Sequence, residues 1–209
     1  MRNSKGYIGV GVLLIVIGAL FLLQNFGLLG GVENLVWLSL FGLGGLVFLG
    51  VFISNNENWW AIIPGFTLLG LAALIGFGDR LGALGGALFL GAIGLGFWVI
   101  YILKRDFWWA VIPGGTLFTL ALVAGLAEWR PGLEVGGIFF LGLAATFGLL
   151  YFIPTPEGRL KWALIPAGVL GIMGVFITAA AGELIGWIWP AALILGGGYL
   201  IFRALMRAR

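Results

Sequence analysis

The sequence predicts an all-α, polytopic integral membrane protein: eight transmembrane helices built as four tandem parallel helical-hairpin repeats, with both termini on the cytoplasmic side. Three observations predict it. The charges cut the chain into eight uncharged spans of membrane-crossing length. The basic residues fall overwhelmingly on alternate connections. An aromatic-then-proline phrase recurs at nearly constant spacing.

The 209 residues are 62% hydrophobic and 9% charged, against about 25% charged residues in an ordinary soluble domain. Spans free of Asp, Glu, Lys and Arg run 6–32, 34–56, 58–78, 81–103, 107–127, 135–156, 162–182 and 184–202. A helix needs about 20 apolar residues to cross the hydrocarbon core. Backbone polar groups in lipid must be satisfied within the segment, so helices are expected. The spans are too continuously apolar for barrel strands, which alternate. None has the polar face that a soluble helix needs.

The helices follow in order. The first, over 7–25, begins after the basic "MRNSK" and is read as retained, because no small-residue cleavage site precedes "LLQNFG". The second, 35–54, lies between Glu33 and "SNNEN"; the third, 60–78, runs from a tryptophan pair to Asp79 and Arg80. The fourth, 82–103, stops at Lys104, and the fifth, 109–127, stops at Glu128. The sixth, 134–153, ends before Pro154; the seventh and eighth are 162–181 and 185–205.

Alternating the ends places Arg2, Lys5, Lys104, Arg105, Arg159, Lys161, Arg203, Arg207 and Arg209 on one side, and only Arg80 and Arg130 on the other. Short basic connections stay in the cytoplasm, so the first side is cytoplasmic. Glu57, Asp106 and Glu157 join it, against Glu33, Asp79, Glu128, Glu134 and Glu183 outside. This spread of charge over helix ends is what topology demands, and it offers no basic face for nucleic acid.

The recurring phrase reads "NWWAIIPGF" at 58–66, "FWWAVIPGG" at 107–115 and "KWALIPAGV" at 161–169. Trp60, Trp109 and Trp162 align, and Pro64, Pro113 and Pro166 follow four residues on; Tyr7 and Gly11 take the same slots in the first helix. The offsets are 53, 49 and 53 residues. The even-numbered helices carry Leu-Gly pairs ending at Gly44, Gly91, Gly142 and Gly196. The repeats are therefore expected at 1–55, 56–105, 106–157 and 158–209, all pointing the same way. Tryptophan favours the headgroup level. Proline is tolerated in a first helical turn, whose N–H groups lack intrahelical partners. Trp60, Trp109, Trp162, Pro64, Pro113 and Pro166 are thus read as interfacial anchors and helix starts. Small residues let membrane helices approach closely, so Gly44, Gly91, Gly142 and Gly196 are read as packing positions. Gly82 with Gly86 and Gly132 with Gly136 have the spacing of helix-pairing motifs.

The chain has no histidine and no cysteine. That removes the usual ligands of haem, iron–sulfur clusters, zinc and copper, and the commonest general base. No cofactor, metal site or enzymatic activity is expected. No charge lies within a span, whereas ion paths and proton relays depend on such charges. The intramembrane hydroxyls of Ser39, Thr67, Thr116, Thr119, Thr146 and Thr178 are expected to bond within or between helices. The most site-like cluster is Glu128, Arg130 and Glu134, read as a solvated connection in which Arg130 pairs with a glutamate.

Residues 11–50, "GVLLIVIGALFLLQNFGLLGG…LVWLSLFGLGGLVFLG", resemble the transmembrane module of bacterial Lia-type cell-envelope stress proteins and related domains of unknown function. Gly11, Leu14, Ile15, Gly18, Phe21, Leu22, Leu23, Asn25 and Gly27 match the module's first helix, and Trp37, Leu38, Leu40 and Gly44 its second. Leu38 stands where that module usually has proline, whereas "WIWPAALILGGGYLI" at 187–201 keeps Pro190. The soluble sensory domain of that family is absent from this sequence. The resemblance implies a multi-pass protein of the bacterial inner membrane without enzymatic activity. The expected function is a scaffold or accessory subunit that packs against the bilayer and other membrane proteins or further copies of itself. The alternatives are a facilitator for a small neutral or lipidic molecule, recognisable by a threonine-lined cavity, and an envelope-stress modulator acting through a partner.

Overall fold

A computed structural model describes residues 4–27, 32–82, 84–155 and 158–181, together with positions 193–195, 197, 199 and 203. Most of the segment 185–205, Gly196 included, lies outside the described residues. Seven α-helices are described: α1 (Ser4–Asn25), α2 (Glu33–Ser54), α3 (Ile62–Leu81), α4 (Leu84–Leu103), α5 (Val111–Trp129), α6 (Gly136–Phe152) and α7 (Leu164–Ala181). Single 3-10 turns, Trp59–Ala61, Trp108–Ala110 and Lys161–Ala163, lead into α3, α5 and α7. Five helical stretches, Glu33–Ser54, Trp59–Gly78, Leu84–Leu103, Trp108–Trp129 and Lys161–Ala180, are long and apolar enough to cross a membrane. The 17-residue α6 is shorter. Their flanks carry large exposed apolar side chains, such as Leu43, Val47, Phe152, Ile165 and Phe176. Water would penalise such a surface, and hydrocarbon does not.

Chain neighbours are space neighbours. From α2 to α7 each helix packs on the next, and the seams α2–α3, α4–α5 and α6–α7 are the most extensive. These pairs straddle the repeat boundaries placed at 55, 105 and 157, while α3–α4, within one expected repeat, packs nearly as extensively. The α5–α6 seam is thinner. Between α1 and α2–α3 lies an apolar cavity of about 560 Å³, lined by Val12, Val16, Ile17, Phe41, Gly44 and Leu68 among others. The end of α1 meets α2 through Trp37, whose Nε1 donates to Gln24 Oε1 at 3.0 Å and whose ring lies 4.9 Å from that of Phe21.

Glycine determines how near the helices come. A Cβ on Gly45 would stand 2.7 Å from Leu69 Cγ and 2.9 Å from the Gly65 carbonyl oxygen; one on Gly65 would meet Leu49 at 2.9 Å. The α4–α5 seam repeats this 49 residues on, where a Cβ on Gly94 would lie 3.3 Å from the Gly114 carbonyl oxygen. In α6–α7, one on Gly174 would lie 2.7 Å from Leu141 Cγ, and Gly137 faces the Gly174 carbonyl and Thr178. Of the positions expected from the Leu-Gly pairs, Gly142 sits directly under Thr119. Gly44 and Gly91 are looser, 3.4 Å from Leu68 Cδ1 and 3.9 Å from Ala121 Cβ. The spacings Gly82–Gly86 and Gly132–Gly136 do not build seams: Gly82, Gly86 and Gly132 face open space, and Gly136 touches Glu134 and Ile177. Gly82 serves the backbone instead. At φ 54° it closes α3, its N–H donating to the Gly78 carbonyl at 2.8 Å, a conformation side chains disfavour.

Five hydroxyls within the helices donate to carbonyls of their own helices: Ser39 to Leu35, Thr67 to Ile63, Thr119 to Gly115, Thr146 to Gly142 and Thr178 to Gly174, at 2.7–2.9 Å. This bond leaves the threonine methyl free to pack against a neighbour. Thr119 sits on Gly142, Thr146 on Gly115 and Thr178 on Gly137. One departure from the all-helical expectation is a two-residue antiparallel pair, Pro154–Thr155 with Gly158–Arg159, in the connection from α6 to α7. Proline ends α6, and Thr155 Oγ1 donates to the Gly158 carbonyl at 2.6 Å.

Adding one methyl at the α2–α3 seam should force the helices apart. Gly45→Ala is expected to lower stability by about 1–3 kcal/mol, the usual cost of overpacking. Gly168→Ala on α7, with nothing among the described residues within 4 Å of its Cβ position, should cost far less. Equilibrium unfolding in mixed micelles measures both; equal effects would remove glycine contact as the reason for close packing.

Candidate functional site

A core cluster lies at the end of the row where the proline phrases begin. It joins Ile62, Ile100, Tyr101, Ala110, Val111, Leu150, Ile153, Leu160 and Ala163 from four helices and their connections. The phrase builds the same local structure three times. The N–H groups of Ala61, Ala110 and Ala163 donate to the carbonyls of Asn58, Phe107 and Leu160, each at 3.0 Å, and close the 3-10 turn. All three alanines are 0% exposed, so a larger side chain has no room. The α-helix then starts, and Pro64, Pro113 and Pro166 are its third residues. Each proline lies in a first turn, where its missing N–H leaves no bond broken.

The tryptophans do more than mark the helix start. Trp60 meets Phe48 edge-on at 6.1 Å, Trp109 meets Phe97 at 6.3 Å, and Trp162 meets Phe147 at 6.2 Å, with interplanar angles of 72–79°. Each phrase thus clips onto the preceding α-helix of its own tight hairpin. A second contact runs sideways. Trp59, the first tryptophan of one phrase, lies 5.8 Å from Trp109, the second tryptophan of the next. Trp108 lies 6.4 Å from Trp162 in the same relation. Phe107 enters the first junction, 4.8 Å from Trp59 and 6.1 Å from Trp109. Each such aromatic pair contributes about 0.5–1.5 kcal/mol beyond burial. Trp60 and Trp162 are 49% and 45% exposed, whereas Trp109 is drawn further into the stack. The partners Phe48, Phe97 and Phe147 escape a reading of the sequence alone. Their signal is an aromatic residue 12 to 15 positions before each aligned tryptophan.

A cleft of about 500 Å³ opens between α5 and α6, lined by Trp98, Gly115, Thr119, Gly142, Thr146 and Leu149 among others. Both threonine protons are committed to their own helices, so the hydroxyl oxygens offer acceptor lone pairs. Among the described residues, buried Trp98 Nε1 has no hydrogen-bond partner. None of the three prolines lines this cleft.

At the opposite end, Glu128, Arg130 and Glu134 do not form the expected ion pair. The Arg130 guanidinium lies over the Trp129 ring at 5.7 Å, and Glu134 Oε1 accepts the Gly136 N–H at 3.3 Å. The carboxylate caps an otherwise unsatisfied helix start, which is favoured electrostatically.

If the lateral stack joins the hairpins, Trp109→Ala should cost about 3 kcal/mol or more, as a large aromatic truncation does. Trp60→Ala, which removes only the contact with Phe48 and no lateral one, should cost clearly less. Comparable losses in micelle unfolding would show that the two tryptophans have equivalent roles.

Comparison with protein-family models, with curated proteins and with solved structures finds no match for this chain.

Proposed function

We propose that the chain is a non-enzymatic integral membrane scaffold or accessory subunit, crossing the inner membrane eight times with both termini in the cytoplasm. The described helices α2 to α7 form one row. The observation that carries this reading is the filling of the α2–α3, α4–α5 and α6–α7 seams by direct backbone approach, with the prolines held at helix starts. A row so sealed is suited to presenting long apolar flanks to lipid and to other helices. Small-residue packing and lipid-facing aliphatic surfaces are how membrane subunits associate. The resemblance of residues 11–50 to the Lia-type envelope-stress module is compatible with a modulator acting through a partner.

A second reading rests on the α5–α6 cleft. Its threonine oxygens, buried indole and apolar walls suit a small neutral or lipidic molecule, and the thinner seam there would let the walls part. The scaffold reading is favoured because the α2–α3, α3–α4, α4–α5 and α6–α7 seams are closed and the prolines stand outside the cleft.

Affinity purification in mild detergent, with mass spectrometry of what accompanies the chain, separates the two. A stoichiometric membrane partner or a stable homo-oligomer supports the scaffold. A monomer without partners that speeds the passage of a neutral solute into proteoliposomes supports the facilitator. Topology is tested independently on this cysteine-free chain. A cysteine replacing Arg105 should react with an impermeant maleimide only from the cytoplasmic side, and labelling from outside contradicts the proposed orientation.

A further inference from the structure

The ends of the helices differ in charge and in what holds the charges. In the connections at the proline end, the α4–α5 turn supplies Lys104 and Arg105, and the α6–α7 connection supplies Arg159 and Lys161. The two connections are neighbours: Tyr101, Ala110, Leu160 and Ala163 share one core cluster, and Trp108 lies 6.4 Å from Trp162. Among the described residues none of these cations is matched with a carboxylate. Aromatic faces take that place for three of them. The Arg105 guanidinium lies 4.8 Å from the Tyr101 ring centroid, the Arg159 guanidinium 5.7 Å from that of Tyr151, and Lys104 Nζ 5.8 Å from that of Phe107.

A ring face attracts a cation but leaves the edge of a guanidinium, with its N–H donors, unoccupied. Both arginines are exposed, on connections that also carry half-exposed Trp162, a residue type suited to the headgroup layer. A planar N–H fork at that level matches a phosphate oxygen pair. We propose that this rim binds the headgroup of an anionic phospholipid, its phosphate held by Arg105 and Arg159 with Lys104 and Lys161 adding charge. The bound lipid ties the α4–α5 and α6–α7 hairpins together beside their thinnest seam. Such binding requires only that the helices lie in a bilayer, and it stands apart from the scaffold reading.

Tryptophan quenching by brominated lipids in reconstituted vesicles tests it. Brominated phosphatidylglycerol is expected to compete for the protein surface severalfold better than brominated phosphatidylcholine. The preference should fade at about 1 M salt, where the screening length falls to about 3 Å. The double variant Arg105→Gln with Arg159→Gln should lose the preference, whereas Arg80→Gln with Arg130→Gln at the other end should keep it. Inorganic phosphate at millimolar concentration should leave the preference unchanged; if it abolishes the preference, the site takes free phosphate and the lipid assignment fails. Equal competition by the two lipids in the unaltered protein overturns the proposal, and so does a preference that survives the Arg105/Arg159 change. Competition between the two lipids on the unaltered protein decides the matter even where the double variant fails to fold.

Discussion

Lipid gives apolar helices no hydrophobic reason to associate, because a leucine on a neighbouring helix is no better a solvent than an acyl chain. Everything that holds this chain together follows from that constraint. The helices must come close enough for backbone to touch backbone, and side chains must be removed where they would keep it apart. Gly45 against Gly65 and Gly94 against Gly114 do this in the α2–α3 and α4–α5 seams, at positions 49 residues apart. Gly137 and Gly174 do it in the third. Where the close approach is interrupted, between α5 and α6, threonine fills the space left by glycine and a cleft remains beside it.

The aromatic stack solves a different part of the same problem. Glycine contacts also relate one pair to the next, as at Gly70 against Ala92 between α3 and α4, and the rings add a second tie. The Trp-x-x-x-Pro phrase does so at one end of the molecule, where the 3-10 turn brings two ring positions side by side. One reaches back to a phenylalanine on the preceding helix and the other forward to the next phrase. Its alanine must be small and its proline must stand in the first turn for this geometry to recur. The repetition of Trp, Ala and Pro within the chain is thus explained by packing at the helix starts.

Helix positions are legible in the sequence because charges mark the ends: Lys104 follows α4 directly, and Asp79 and Arg80 stand at the close of α3. The proline placement is legible too, since only a first turn accommodates it without a broken bond. The seams are legible in kind and not in register. A helix that is apolar all round has no polar face to show which side turns inward, so Gly44 and Gly91 attract notice while Gly45 and Gly94 make the closer contacts. The ring partners Phe48, Phe97 and Phe147 are hidden among 17 phenylalanines, and the pairing of Arg130 with Trp129 instead of a glutamate depends on rotamers that spacing does not encode. The α5–α6 cleft arises from two threonines meeting two glycines across a seam, a relation between segments that neither one shows alone.

The central claim is that helix pairs are set by glycine-level contact in one register, and paired cysteines test it most directly in a chain that has none of its own. A Cβ at Gly42 would lie 3.8 Å from Ala72 Cβ, one at Gly91 3.9 Å from Ala121 Cβ, and one at Gly171 3.6 Å from Ala144 Cβ. These separations suit a disulfide, whose Cβ atoms lie about 3.5–4.5 Å apart. In native membranes under mild oxidation, Gly42→Cys with Ala72→Cys and Gly91→Cys with Ala121→Cys should form intramolecular bridges rapidly. Leu43→Cys with Ala72→Cys, which moves one cysteine onto an exposed face, should not. Bridging of the displaced pair as fast as the matched ones, or no bridging of the matched ones, would contradict the packing described.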